Sequence, residues 1–113
     1  MASLGTLQPG LVPWAKWILA AGRKHQGKLV VTSARRSRAK QQMLRDRWES
    51  GDSKIPANRP GTSLHELGLA FDLATLGLDP FEDPILPWLG SWWEYYGGRY
   101  GGARDPVHFQ IRV

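Results

Sequence analysis

The chain has 113 residues, a formal net charge of +5 and no cysteine. This length supports one hydrophobic core and one domain rather than two. Without cysteine there is no disulfide and no thiolate nucleophile, so any metal must be held by histidine and carboxylate side chains. The apolar runs are too short to span a bilayer, and the N-terminal residues lack the pattern of a secretory signal.

Basic residues are concentrated in a short segment of the first half of the chain. This concentration suggests an anionic partner, either nucleic acid or the anionic bacterial envelope. The simpler interpretation is a solvated helix face. The cations of this segment are Arg35, Arg36, Arg38, Lys40, Arg45 and Arg47.

The first half of the chain predicts two helices and one buried strand. Residues 1–8 carry no clear pattern, and we expect a flexible segment there. Apolar spacing predicts a helix over 9–24, with prolines in its first turn. Residues 28–33 are rich in β-branched side chains and predict a buried strand, whereas 38–48 are good helix formers. Proline and glycine over 51–62 predict a loop, and such loops often frame a site.

Two strands with alternating faces are predicted in the middle and at the end of the chain. In the first, over 69–74, Asp72 lies between two alanines on one face, and large apolar residues occupy the other. In the second, over 107–113, His108 lies on the polar face. If the strands pair over a common core, Asp72 and His108 emerge on the same side and can converge with His65. The three side chains would give zinc three protein ligands and leave one position vacant.

Between these strands, the sequence predicts a third helix that is rich in aromatic residues. It begins near Asp83 and Pro84, which suit a cap and a first helical residue. It ends before 97–102, where the glycines predict an irregular loop. We expect most of the rings in the core and a minority at a groove. The rings belong to Trp88, Trp92, Trp93, Tyr95 and Tyr96.

Three motifs occur in the order of a known family of zinc peptidases. They resemble the signature of the D-alanyl-D-alanine carboxypeptidase and L-alanyl-D-glutamate endopeptidase family, which includes VanY-type enzymes and phage endolysins. The upstream segment 32–37, with a glutamine four residues later, resembles that family's Ser-Gly-Tyr-Arg-Ser segment and its trailing Gln. Together the motifs extend over about residues 28–113. They are Thr32-Ser-Ala-Arg-Arg-Ser37 with Gln41, Ser63-x-His65-x-x-Gly68-x-Ala70-x-Asp72, and Asp105-x-x-His108-Phe109.

The resemblance implies a fold and the central roles. The fold is α+β, with two or three helices on a small, mainly antiparallel sheet whose polar face holds zinc. His65, Asp72 and His108 are the implied metal ligands. Asp105 is the implied general base, which takes a proton from the zinc-activated water and passes it to the leaving amine. The simpler alternatives are that Asp72 pairs with an arginine and that Asp105 only starts a turn before Pro106.

Further residues of the motifs receive narrower roles. Arg36 matches the family's Arg-Ser register and is implied to bind the substrate carbonyl and stabilise the oxyanion. Its rival is Arg35, which occupies the family's usual Tyr position. Ser63 either contacts substrate or fixes the loop before His65. Gln110 stands where the family often has Glu, and we expect it to orient a ligand without contributing a charge.

The resemblance implies a single zinc peptidase domain over 1–113 that hydrolyses an amide bond in peptidoglycan stem peptides. Small size and the missing signal favour a monomeric phage-type lysin. Such a lysin stays in the host cytoplasm until it is released to the wall, or it is carried in the virion. L-alanyl-D-glutamate endopeptidase stands somewhat ahead of D-alanyl-D-alanine carboxypeptidase.

Two other classes of function remain open. A non-catalytic zinc-containing module could bind cell-wall peptide, but binding alone would not require Asp105. A nucleic-acid-binding protein would explain the basic segment, yet it would leave the ordered histidines and aspartates unexplained.

Overall fold

The computed structural model describes residues 2–113 and shows three helices and a four-stranded antiparallel sheet, which confirms the α+β prediction. None of the helices in this part of the chain has the length and apolar character that a bilayer span requires. The helices are α1 (Val12–Arg23), α2 (Arg38–Glu49) and α3 (Ile85–Tyr95). The strands are β1 (Leu29–Ser33), β2 (Ala70–Thr75), β3 (Arg99–Tyr100) and β4 (His108–Gln110).

The sheet has the order β1-β2-β4-β3, so the two strands with alternating faces lie side by side at its centre. Phe71 of β2 pairs with Phe109 of β4, and their rings stack with centroids 5.5 Å apart. Trp93 of α3 meets Phe71 edge to face at 5.2 Å. Because successive residues of a strand point to opposite faces, the next pair in the register, Asp72 and His108, emerges on the other side of the sheet.

Helices α1 and α3 cover the apolar face of the sheet. Ile18 of α1 and Leu89 of α3 are fully buried in the same cluster as the two phenylalanines. Burial of side chains of this size stabilises the fold by about 1.5–3 kcal/mol each. Helix α2 contributes little to this core, since Gln41 is the one buried residue among its described side chains. The other residues of α2 therefore lie outside this core, beside the polar face of the sheet.

Two segments differ from the sequence-based expectation. Residues 2–8 are not a loose tail, because Leu4 and Leu7 are buried in the core and a short 3-10 turn joins them; Met1 lies outside the described residues. The glycine-rich segment 97–102 contains strand β3, which pairs with β4. Local composition predicted a loop there because the pairing partner of β3 lies further along the chain.

The expectation that most rings of α3 lie in the core is wrong. Trp93 is buried, whereas Trp88, Trp92, Tyr95 and Tyr96 are 41%, 42%, 76% and 52% exposed. The exposed rings follow the i, i+4, i+7 stripe of α3 that faces away from the sheet. The sequence could not distinguish the two faces, because both are apolar.

We expect Gly90→Ala to lower the free energy of unfolding by about 1–3 kcal/mol, because the helix lies too close to β3 for a β-carbon. Ring atoms of Tyr100 occupy the place where this carbon would be. Urea denaturation measures the change. Gly10→Ala is the matched control, since no atom lies within 4 Å of its added methyl group. Equal stability of the two variants would contradict the close packing of α3 on β3.

Candidate metal centre

Three predicted ligands from three separate segments meet on the polar face of the sheet. His65 lies on the 3-10 turn Leu64–Leu67, while Asp72 and His108 are cross-strand partners on β2 and β4. One ligand atom from each lies within 4.8 Å of the others. His65 Nε2 and His108 Nδ1 lie 3.1 Å and 3.4 Å from the same oxygen, Asp72 Oδ1.

The hydrogen bonds of the two rings determine which nitrogens face this oxygen. His65 Nδ1 lies 2.8 Å from the carbonyl oxygen of Ala34, which can only accept, so Nδ1 carries the hydrogen. His108 Nε2 lies 2.8 Å from Gln110 Oε1, and the Gln110 amide is oriented by donating to the Ile111 carbonyl at 3.1 Å. In the neutral rings, the remaining nitrogens therefore point lone pairs at Asp72.

Three electron-pair donors that face one another in a buried space repel unless a proton on one of the rings or a metal cation lies between them. Burial opposes ionisation of Asp72, yet the charge of His65 and hydrogen bonds from both histidines hold the pKa of its carboxyl well below its usual range. Burial also opposes the charged form of His108, but its hydrogen bond to Asp72 raises the pKa of the ring. Two imidazole nitrogens and one carboxylate fit the donor preference of Zn²⁺.

Arg36 holds the other oxygen of the ligand carboxylate. Its Nη2 donates to Asp72 Oδ2 at 2.6 Å, its Nε donates to Ser33 Oγ at 2.6 Å, and its Nη1 donates to Gln41 Oε1 at 3.1 Å. The ion pair between Arg36 and Asp72 that the simpler alternative anticipated is thus present. It leaves Asp72 Oδ1 facing the histidines, so it orients the ligand rather than occupying its free oxygen.

Arg35 points away from the site. Its Nε donates to the carbonyl of Thr6 at 3.0 Å, and its Nη2 donates to that of Leu67 at 3.3 Å. The register that favoured Arg36 over Arg35 therefore agrees with the geometry. Arg35 instead ties the N-terminal segment to the turn that carries His65.

Gln41 is a positioning residue that the sequence analysis matched to a motif but left without a role. It is fully buried, accepts from Arg36 Nη1, and donates to the carbonyl of Asn58 at 2.8 Å. It thereby joins the guanidinium to the loop that borders the site. The available signal was its spacing of three and seven residues from Leu44 and Trp48, which places a polar side chain on the inner side of the helix.

Ser63 and Glu66 form a capping box on the turn that carries His65. Ser63 Oγ accepts from the His65 amide at 3.2 Å, while Glu66 Oε2 accepts from the amides of Gly61 at 2.8 Å and Ser63 at 3.4 Å. The first of these bonds is the loop-fixing contact that the sequence offered as one role for Ser63. The carboxylate of Glu66 is occupied by the cap and is not placed to act as a base.

Asp105 lies beside the three predicted ligands, and one oxygen of its carboxyl group is buried without a partner. Its Oδ1 is buried and has no hydrogen-bond partner within residues 2–113. Burial, together with the charge of Asp72, raises the pKa of Asp105 to about 6. Its backbone carbonyl accepts from the His108 amide at 3.1 Å, so it also begins the turn into β4. The side chain is thus poised to exchange a proton near neutral pH.

These residues line one cleft of about 260 Å³. Its floor is the polar face of β2 and β4, and one wall is the loop from Ile55 to Asn58. Gly101 forms part of the rim, and a β-carbon there would overlap the Asp105 carbonyl. The lining contains every predicted site residue: Arg36, Ser63, His65, Asp72, Asp105, His108 and Gln110.

No family model and no curated protein matches the sequence. Solved structures are similar in fold. The VanY D,D-pentapeptidase of a VanB-type resistance cassette, in complex with Zn(II), has a TM-score of 0.71 at 21% identity and covers 93% of this chain and 72% of its own. VanYB in complex with D-alanine-D-alanine has a TM-score of 0.70 at 23% identity, with 93% and 71% covered.

A third similar structure has another specificity. The L-Ala D-Glu endopeptidase ChiX of Serratia marcescens has a TM-score of 0.62 at 20% identity, with 96% of this chain and 83% of its own covered. Fold similarity therefore extends to both peptidase types that the motifs resemble. The chain has the fold of the VanY-type D,D-peptidases and of the L-Ala D-Glu endopeptidase, which is the fold that the order of its three motifs implied.

Proposed function

We propose that this protein is a zinc-dependent peptidase that hydrolyses an amide bond in peptidoglycan stem peptides. The observation that carries the proposal is the convergence of His65 Nε2, Asp72 Oδ1 and His108 Nδ1 beside the unpartnered carboxyl of Asp105. The fold shared with a Zn(II) complex of VanY and with an L-Ala D-Glu endopeptidase supports the substrate class.

His65, Asp72 and His108 would hold the ion, which when bound polarises a carbonyl and lowers the pKa of a water molecule toward neutrality. Asp105 accepts the proton of the attacking water and returns it to the leaving amine, a cycle suited to a carboxyl whose pKa lies near 6. Ala34 and Gln110 hold the two rings in the tautomers that leave the ligand nitrogens free.

Arg36 acts first through Asp72, because the three guanidinium nitrogens already donate to Ser33, Gln41 and Asp72. Its charge also lies at the edge of the cleft, where it favours negative charge on the substrate carbonyl oxygen as attack proceeds. Ser63 supports the turn under His65 and lines the same cleft, so it is a neighbour of the bound peptide.

Within this proposal, a phage-type lytic enzyme and L-Ala-D-Glu cleavage remain the preferred finer assignment, with D-Ala-D-Ala carboxypeptidase second. The alternative function is that of a non-catalytic module that binds wall peptide, and one observation bears on it. Asp105 is half-buried, and its Oδ1 is buried without a hydrogen-bond partner within residues 2–113. This favours catalysis over that alternative, since binding offers nothing to offset the cost of an unsatisfied carboxylate oxygen.

The decisive experiment incubates the zinc-loaded protein with purified peptidoglycan, with and without a chelator. We expect new amino and carboxyl termini, identified by mass spectrometry, that disappear with the chelator and return when zinc is restored. New alanyl carboxyl and glutamyl amino termini indicate the endopeptidase, whereas release of free D-alanine indicates the carboxypeptidase. Binding to the wall with no new termini would favour the non-catalytic module.

Asp105→Asn should lower kcat by about 10²–10⁴-fold while stoichiometric zinc is retained, because the base is lost and the ligands remain. Turnover on a synthetic stem peptide and elemental analysis of the same preparation measure the two quantities. His65→Ala is the comparison, and it should lose both metal and turnover. An Asp105→Asn enzyme of normal rate would remove the base assignment.

The same substitution should stabilise the metal-free protein at high pH. The pKa of Asp105 is raised to about 6 in the fold, above the unfolded value near 3.9. Because the folded protein ionises Asp105 less readily than the unfolded chain does, this residue lowers the free energy of unfolding as the pH rises from about 4 to about 6. Below this interval the carboxyl is protonated in both states and has no such effect. The free energy of unfolding of Asp105→Asn minus that of wild type should therefore be about 1–3 kcal/mol larger at pH 8 than at pH 4. A pH-independent difference from wild type in urea denaturation would contradict this.

Arg36→Ala should weaken zinc binding by about 10–100-fold as well as lower turnover, because Asp72 loses the partner that orients it. The role that the motif implied for Arg36, binding the substrate carbonyl, would by itself lower turnover without releasing metal. Competition with a chromophoric chelator measures the affinity. Arg23→Ala is the matched control, since that side chain donates to the Leu29 carbonyl at the end of β1 remote from Ser33; the zinc affinity of this variant should be unchanged.

A further inference from the structure

A second groove of about 260 Å³ opens directly beside the metal cleft. The two share Arg36 and Asp72 at their junction, and the loop 55–57 forms a wall of both. A peptide that reaches Asp72 from this side must therefore pass through the groove. The proposed reaction gives no role to Lys40, Leu44 and Arg47, which also line this groove.

Helix α2 forms the wall of this groove opposite the loop, and it presents two cations there. Lys40, Leu44 and Arg47 occupy positions i, i+4 and i+7, so they lie on one face of the helix. The rise of an α-helix separates the first from the last by about 10 Å along its axis. Lys40 lies in the first turn, nearer to Arg36, and Arg47 lies at the far end.

Most cations of the basic segment already have partners. Arg45 pairs with Glu49 and donates to the Ala57 carbonyl at 3.1 Å, and Arg38 lies 3.9 Å from Glu66. Arg35 and Arg36 are bonded as described above. Within residues 2–113, the side chains of Lys40 and Arg47 make neither an ion pair nor a hydrogen bond. Four cations of the basic segment are thus bonded within the fold, and the other two, Lys40 and Arg47, face the groove.

Hydrogen bonds between α2 and the loop fix the shape of the groove. Gln41 and Arg45, which alternate with the groove-facing residues of α2, bond to the carbonyls of Asn58 and Ala57 and fasten the loop to the helix. The space between the two walls is therefore defined before a ligand arrives, and the hydroxyls of Ser33 and Ser53 add polar groups to its lining.

We propose that Lys40 and Arg47 form a subsite for free carboxylates of the substrate, so that the preferred stem peptide is one whose acidic groups are not amidated. This rests on the proposed peptidase function and specifies its substrate class. Lys40 and Arg47 are exposed along one wall of the groove. Cations of one sign that line a cleft focus the electric field there and attract carboxylates. Leu44 and Ile55, between and opposite the cations, supply apolar contact to the aliphatic part of the peptide.

The test compares three synthetic pentapeptides of the stem type L-Ala-γ-D-Glu-L-Lys-D-Ala-D-Ala. One has all carboxylates free, one carries an amide in place of the D-Glu α-carboxylate, and one carries a C-terminal amide. They are offered to wild type and to the Lys40→Gln, Arg47→Gln and doubly substituted proteins. The matched control is Lys28→Gln, which removes the same charge from an exposed residue just before β1, away from the Ser33 end that borders the groove.

We expect each single substitution to lower kcat/KM on the free peptide by about 3–10-fold and the double substitution by about 10–100-fold, chiefly through KM. Whichever amide lowers wild-type activity and abolishes the effect of the substitutions identifies the carboxylate that is bound. Equal losses on all three peptides, or losses no larger than that of Lys28→Gln, would overturn the subsite.

A binding measurement separates this inference from the peptidase itself. Calorimetric titration of the metal-free protein with the free and amidated peptides requires no turnover. Preference of wild type for a free carboxylate, lost in the double variant but kept in Lys28→Gln, supports the subsite even if no bond is cleaved. Absence of that preference overturns it even if the protein proves to be a peptidase.

Discussion

The convergence of three lone pairs in a buried space is the constraint on which the site depends. His65 and His108 each use one ring nitrogen to donate to a neighbouring acceptor, so the other nitrogen of each neutral ring must face Asp72 Oδ1. This arrangement is unfavourable until a cation neutralises it. The fold therefore requires positive charge at this place, which ring protons supply in the metal-free protein and which a bound metal ion would supply in their stead.

The pairing of β2 with β4 connects this constraint to the hydrophobic core. Phe71 and Phe109 pair on one face, and Asp72 and His108 pair one residue further on the other. A slip of one residue would move the phenylalanines toward solvent and turn the ligands inward, which the core does not permit. Burial of two aromatic rings thus sets the register that brings a carboxylate and an imidazole together.

A second layer of polar residues holds the three predicted ligands in place. Arg36 takes one oxygen of Asp72, Gln41 fastens Arg36 to the bordering loop, and Gln110 orients His108. The same helix that carries Gln41 directs Lys40 and Arg47 into the adjoining groove. One element thereby connects the geometry of the ligands to the proposed choice of substrate.

The sequence by itself determined the strand alternation and predicted which three side chains converge, because side-chain direction in a strand is set by local period and the motif spacing is specific. It did not determine that Trp88 and Trp92 lie outside the core, that Arg35 bonds to Thr6 and Leu67, or that Lys40 and Arg47 of the basic segment line a groove without a partner among residues 2–113. These outcomes depend on which distant segment each side chain meets. The two apolar faces of α3 are equivalent to any local rule, and the motif register that favoured Arg36 over Arg35 does not name the partner of either. Only the packing of α3 on the sheet and the approach of residues 2–8 and 55–58 decide these contacts.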